Sequence, residues 1–221
     1  MSKMAIGHAG AKRFTTPRRE SRLFAVGSFL FALGAVFATI SSLSTWIASV
    51  TFFAGSVFFT VAALIQWLLS GRPSFSGWRG AEASDWWSAA IQFVGTICFN
   101  VSTFAAMASP YLPGATSHVW RPDVYGSAAF LISSLLALRA CTENDRLWDP
   151  AARLWRVAWL NMLGSVAFGV SAVAARSEGA SGAVVNPLLD NLGTFLGALG
   201  FLAAALLMAP RSEPRASSRA S

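Results

Sequence analysis

Six stretches of the sequence run for about twenty residues each with almost no charge, at 23–40, 46–69, 86–107, 122–138, 157–175 and 187–208. A helix of roughly 20 residues spans the ~30 Å hydrocarbon core of a bilayer. Only 12% of the 221 residues are charged and 54% are apolar, against about 25% charged in an ordinary soluble domain. So few charges cannot cover a water-soluble surface. The chain reads as an all-α, polytopic membrane protein of six transmembrane helices. The fourth stretch is the weakest, uncharged only from Val124 to Leu138. Pro122 and Pro187 suit the first helical position, where the missing N–H costs nothing. Asp149–Pro150 reads the same way, so the fifth helix starts early and carries Arg153, Leu154, Trp155 and Arg156 in the interface. Ser84 or Asp85 is the expected cap of the third helix.

Charge asymmetry orients the chain. Lys3, Lys12, Arg13, Arg18, Arg19 and Arg22 precede the first stretch, Arg72 and Arg79 follow the second, and Arg139, Arg146, Arg153 and Arg156 lie around the start of the fifth. Arg211, Arg215 and Arg219 end the chain, and only Arg121 and Arg176 fall on the other side. Both termini are therefore expected in the cytoplasm, and the location is the inner membrane. Trp46 and Trp120 mark the outer interface; Trp67, Trp86, Trp87, Trp155 and Trp159 mark the inner. A cleaved signal is the competing reading of the basic arm, and Arg18–Arg19 invites a twin-arginine reading. The first apolar run is long for a signal, and no small-x-small site follows it. A topogenic role already explains the arm's charge, so no nucleic-acid partner is expected.

A motif recurs in every stretch. Gly followed by Ser or Thr appears at Gly27, Gly55, Gly95, Gly126, Gly164 and Gly193. Four residues on stands Phe31, Phe59, Phe99, Phe130 or Phe168; the sixth copy departs, with Gly197. Six on stands an aliphatic residue (Leu33, Val61, Val101, Ile132, Val170, Leu199), and seven on a small one (Gly34, Ala62, Ser102, Ser133, Ser171, Gly200). The glycines alternate short and long spacings, so the unit is a two-helix hairpin. Three tandem hairpins, at 22–69, 86–138 and 150–208, imply an approximate three-fold axis along the membrane normal. On a helix, the glycine, the phenylalanine and the second small residue fall within about 60° of one another. They form a packing stripe, since lipid leaves helices little reason to associate except close contact between small residues. The hydroxyl after the glycine can bond to its own helix or across to a neighbour. Gly193, Gly197 and Gly200 make the sixth helix the smoothest, and leucine at 193 is expected to cost folded protein.

The first hairpin, with Phe24–Ala25–Val26–Gly27–Ser28–Phe29–Leu30–Phe31 and Phe52–Phe53–Ala54–Gly55–Ser56–Val57–Phe58–Phe59, resembles the YrhK-like membrane domain. The likeness is best over residues 22–69. It implies a bacterial membrane protein and brings no activity or catalytic residue. Mitochondrial carriers also have six helices in three repeats, but their Pro-x-Asp/Glu-x-x-Lys/Arg signature is missing at the ends of the odd-numbered stretches.

Polar residues inside a membrane are the default place to look for function. Gln92, Thr96, Asn100 and Thr103 lie on one helix face; Asn161 stands in the fifth stretch, and Asp190–Asn191 open the sixth. Three residues before each motif glycine stand Phe24, Phe52, Gln92, Asp123, Asn161 and Asp190. Hairpins two and three are polar there and hairpin one is apolar, which suggests a hydrated cleft between hairpins two and three. The competing reading makes the amides interhelical glue and the two aspartates partners of the positive helix ends. His118 with Asp123 and Glu178 is a weak metal possibility; no metal or other cofactor is expected. No Gly-x-Ser-x-Gly, His-Glu-x-x-His, phosphate loop or paired intramembrane carboxylate is present, so no enzyme is expected. Cys98 and Cys141 sit at different depths and suggest no disulfide.

The leading expectation is a non-enzymatic packing or accessory protein; the alternative is a small-solute or ion path. Its partners are the bilayer, anionic lipid at the basic arm, and a second copy or another membrane protein. Residues 1–21 and 209–221 read as disordered tails, and the Gly/Ala/Ser-rich segment 176–185 as a mobile outer loop.

Overall fold

The first and last helices begin behind a capping side chain followed by proline, Thr16–Pro17 and Asn186–Pro187, which relieves their first free N–H groups. The computed structural model describes residues 15–40, 45–71, 80–112, 119–144, 148–178 and 183–210. The rest of the two tails, most of the segment after the second helix, and His118 lie outside the described residues.

The helices are α1 (Pro17–Thr39), α2 (Thr45–Leu69), α3 (Ala81–Ala108), α4 (Trp120–Asn144), α5 (Arg153–Ala174) and α6 (Pro187–Met208). All six are long and apolar enough to cross a membrane. The fold is all-α. Its only described strands, β1 (Ser177–Glu178) and β2 (Ala183–Val184), form a two-residue antiparallel ladder with Ser177 opposite Val184. The segment 176–185, expected as a loose connector, is therefore tied at its base. Val185 N–H donates to Arg176 O and Asn186 N–H to Ala174 O.

Four boundaries differ from the sequence reading. Thr16 caps α1, its Oγ1 accepting from Arg19 N–H at 3.3 Å, and Pro17 takes the first helical position. Residues 17–21, expected in a disordered arm, are thus helical, and Glu20 and Ser21 are buried. The third helix starts at Ala81 behind an extended Gly80. Ser84 and Asp85 therefore lie inside it and do not cap it. Pro122 sits two residues into α4, still within the first turn, where its missing N–H has no helical partner to lose. At α5 the Asp149–Pro150 pair forms a turn before the helix: Asp149 Oδ1 accepts from Ala152 N–H at 3.2 Å. The start of α6 is as the sequence suggests, with Asn186 Oδ1 accepting from Leu189 N–H at 3.0 Å and Pro187 following.

The helices pack as a ring. Each touches its chain neighbours, and α6 returns to α1. Within each hairpin one contact set recurs. A methyl group built on Gly27 would lie 3.0 Å from Gly55 O, and one on Gly55 3.1 Å from Gly27 O. A methyl on Gly126 would lie 3.1 Å from Gly95 O, and one on Gly164 3.0 Å from Gly197 O. The glycines let paired backbones approach until a Cβ no longer fits. In the third hairpin the partner of Gly164 is Gly197, one turn beyond Gly193. Gly197 is followed four residues later by Phe201 and seven later by the buried Ala204. Counted from Gly197, the sixth helix has its phenylalanine after all. Gly193 remains a close-contact residue, 2.8 Å from Ala167 O by the same measure, but it is not the equivalent of the other five.

Lipid-facing surfaces carry the side chains that point away from this stripe, such as Phe29, Val94, Ile132, Leu163 and Val173, all exposed. At the basic-rich end Arg153 ties α5 to the end of α6, donating to Leu207 O and Ala209 O.

Candidate functional site

The centre of the ring holds one phenylalanine from each helix. Phe31, Phe99 and Phe168 form one triangle, with ring centroids 5.7 to 6.3 Å apart. Phe59, Phe130 and Phe201 form a second, at 5.5 to 6.2 Å. The triangles are joined through the hairpins, Phe31 to Phe59 at 5.3 Å, Phe99 to Phe130 at 5.0 Å and Phe168 to Phe201 at 5.2 Å. Most of these contacts are edge-on or tilted, the arrangement that ring quadrupoles favour. All six rings are buried. They close the axis.

A polar cavity lies on either side of the rings. The one toward the basic-rich end is lined by Phe24, Gln66, Gln92, Asn161, Phe201 and Met208, among others. The opposite one is lined by Phe31, Phe99 and Phe168 together with Asp123, Ser127, Ser171 and Thr194. Each has a volume of about 20 Å³, room for about one water. Ser171 Oγ donates to Asp190 Oδ1 at 2.7 Å and lies 2.7 Å from Thr194 Oγ1. This brings Asp190 to the same group as Asp123.

The residues expected to line one cleft are thus divided. Gln92 and Asn161 face the axis, and so does Phe24, their counterpart in hairpin one. Asn100 and Thr103 turn to α2: Asn100 Nδ2 donates to Thr60 Oγ1 at 2.8 Å, and Thr103 Oγ1 lies 3.0 Å from Ser56 Oγ. Thr96 is fully buried and donates to Phe93 O of its own helix at 2.6 Å. Asn191 lies in a lateral groove with Ala35, Val36 and Leu192, away from the axis. Among the described residues no polar cleft joins these side chains between hairpins two and three; the facing helices, α4 and α5, are stitched together. Ser134 Oγ and Ser165 Oγ are 2.8 Å apart across α4 and α5, and Trp120 Nε1–H donates to Ala172 O at 2.9 Å.

Sequence reasoning missed Gln66, Ser127, Ser171 and Thr194 as axial residues. Gln66 carried a signal: it stands seven residues after Phe59, on the same helix face, in an otherwise apolar stretch. Its Oε1 is buried without a hydrogen-bond partner among the described residues, as is Asn100 Oδ1. A buried amide oxygen left unpaired weakens the net value of the side chain. Asn100→Leu is therefore expected to cost only about 0.6 kcal/mol, the average for an interhelical polar contact in a membrane. A melting curve in detergent checks this, and a loss above about 2 kcal/mol would show that the amide does more than join two helices.

Among the described residues no three His, Cys, Asp or Glu side chains are placed to hold a metal. No disulfide joins Cys98 and Cys141. Comparison with protein-family models, with curated proteins and with solved structures finds no match. What the helices and their surfaces define is a multi-pass membrane protein with six candidate spans.

Proposed function

We propose that this chain is a bacterial inner-membrane protein, with both termini cytoplasmic, whose bundle is built to remain shut: a non-catalytic packing or accessory component of the membrane. The observation that carries this reading is the double triangle of phenylalanines across the axis. A conduction path needs a continuous polar or hydrated lining; here six buried rings interrupt it. Many of the intramembrane hydroxyls, and the Asn100 amide N–H, bond across to a neighbouring helix. The basic residues at one end support the orientation. The likeness of residues 22–69 to YrhK-like domains supports the bacterial assignment. The recurring glycine and phenylalanine contacts support reading the hairpins as three copies of one unit.

One observation favours a second reading, a gated path for a small solute or ion. The two polar cavities lie on opposite sides of the same seal, and that path would follow the ring's axis instead of a gap between hairpins. Purified protein in liposomes separates the two. The shut reading expects no flux of Na⁺, K⁺, H⁺ or glycerol above that of empty liposomes. Flux that disappears in Asn161→Leu would overturn it in favour of the gated path.

A further inference from the structure

At the basic-rich end, α5 and the last turn of α6 leave a groove of about 430 Å³, lined by Trp148, Trp155, Trp159, Leu163 and Leu207, with Arg156 completing the wall. The three indoles form a chain, Trp148 to Trp155 at 5.0 Å and Trp155 to Trp159 at 5.7 Å. Indoles at this level belong to the headgroup boundary of a bilayer. The local charge is unusual for a helix start. The first turn of α5 holds no acid, and its N-cap, Ala152, supplies no side-chain bond. Arg153 and Arg156 stand there instead, beside the positive end of the helix dipole, an arrangement that repels unless an anion joins it. The nearby Asp149 carboxylate accepts from Ala152 N–H. The Arg153 guanidinium is spent on the end of α6. Arg156 is exposed and has the groove beside it. A larger groove at the opposite end, about 600 Å³ and lined by Leu131, Val170 and Leu189 among others, has no charged residue in its wall.

We propose that the α5/α6 groove holds one anionic glycerophospholipid of the adjoining leaflet. An acyl chain lies along Trp159, Leu163 and Leu207, and the phosphate sits by Arg156 and the first turn of α5. Basic pockets between helices take anionic headgroups in this way. The apolar wall calls for a lipid, not a free anion.

Native mass spectrometry of the full chain, released from nanodiscs of equal phosphatidylglycerol and phosphatidylcholine with matched chains, tests this. The expected result is one tightly retained phosphatidylglycerol, favoured about fivefold over phosphatidylcholine, roughly the pull of one basic residue near a headgroup. That molecule is lost in Arg156→Gln and weakened in Trp148→Ala. Both positions are exposed, and the melting temperature of each variant checks that it folds. Lipid held by the basic arm is retained by parent and variants alike, so the difference between them reads the groove alone. Equal retention of both lipids by the parent, or undiminished phosphatidylglycerol in both variants, overturns the proposal. Displacement by millimolar inorganic phosphate overturns it too, because the groove would then read phosphate without its lipid.

Discussion

Gly197→Leu is expected to prevent the chain from accumulating as folded protein. The methyl of an alanine at this position would already collide with the Phe168 ring and lie 2.9 Å from Gly164 O. The ring belongs to the buried axial cluster, and the carbonyl is helix backbone, so neither can give way cheaply. Added volume in a tight interface costs about 1–3 kcal/mol where side chains can adjust; with backbone on one side the cost exceeds that range. Gly193→Leu shares the fate on a smaller scale, since Ala167 O and the Ser171 backbone stand 2.8 to 3.0 Å from a methyl built there. Gly80→Ala is the control. A methyl there meets nothing within 4 Å, and the variant should express and melt like the parent. Fluorescence-detected size exclusion after mild solubilisation reads all three. A monodisperse Gly197→Leu protein at parental yield would mean that the hairpins do not close on their glycines.

Phe130→Ala is expected to cost about 3–5 kcal/mol, the range for removing a buried phenylalanine when its surroundings only partly collapse. Its ring meets those of Phe59, Phe99, Phe168 and Phe201, so truncation removes contacts to both triangles at once. Phe29→Ala makes the same chemical change on the lipid side, where the ring is 56% exposed. There it should cost less than about 0.5 kcal/mol, as surface changes usually do. A thermal-shift comparison in one detergent reports the difference. Equal losses in the two variants would show that the axial cluster contributes nothing beyond hydrophobicity.

The sequence announced the spans because a bilayer admits few alternatives to a long apolar helix. It announced five of the six close-contact glycines because each is followed by a hydroxyl residue and then, three further on, by phenylalanine. The sixth was misplaced by one turn. Gly193–Thr194 satisfies the dipeptide pattern and Gly197–Ala198 does not, yet Ala198 is as fully buried as Ser28. Small volume, not the hydroxyl, is what that position requires, and Phe201 was the better landmark. The polar residues were harder to place. Gln92 and Thr103 share an angular stripe but stand about 16 Å apart along the helix, so they meet different neighbours, the axis for one and α2 for the other. A stripe fixes direction and leaves depth and partner to tertiary packing. The helix starts at Thr16–Pro17 and Gly80 were passed over for a different reason. Charged turns at Arg18, Arg19 and Glu82 extend helices beyond the apolar run, and hydropathy does not register them.

Cysteine pairing in membranes tests the closed ring most directly. In a Cys98→Ser, Cys141→Ser background, Ser134→Cys with Ser165→Cys replaces two hydroxyls 2.8 Å apart on α4 and α5. Ser56→Cys with Thr103→Cys does the same across α2 and α3, at 3.0 Å. Sulfur atoms so placed are near bonding range. Mild oxidation should join both pairs and block maleimide labelling, while Ser88→Cys with Ser171→Cys, at opposite depths, stays open. Ready labelling of the first two pairs after oxidation, or closure of the third, would contradict a bundle in which three hairpins pack side by side around six phenylalanines.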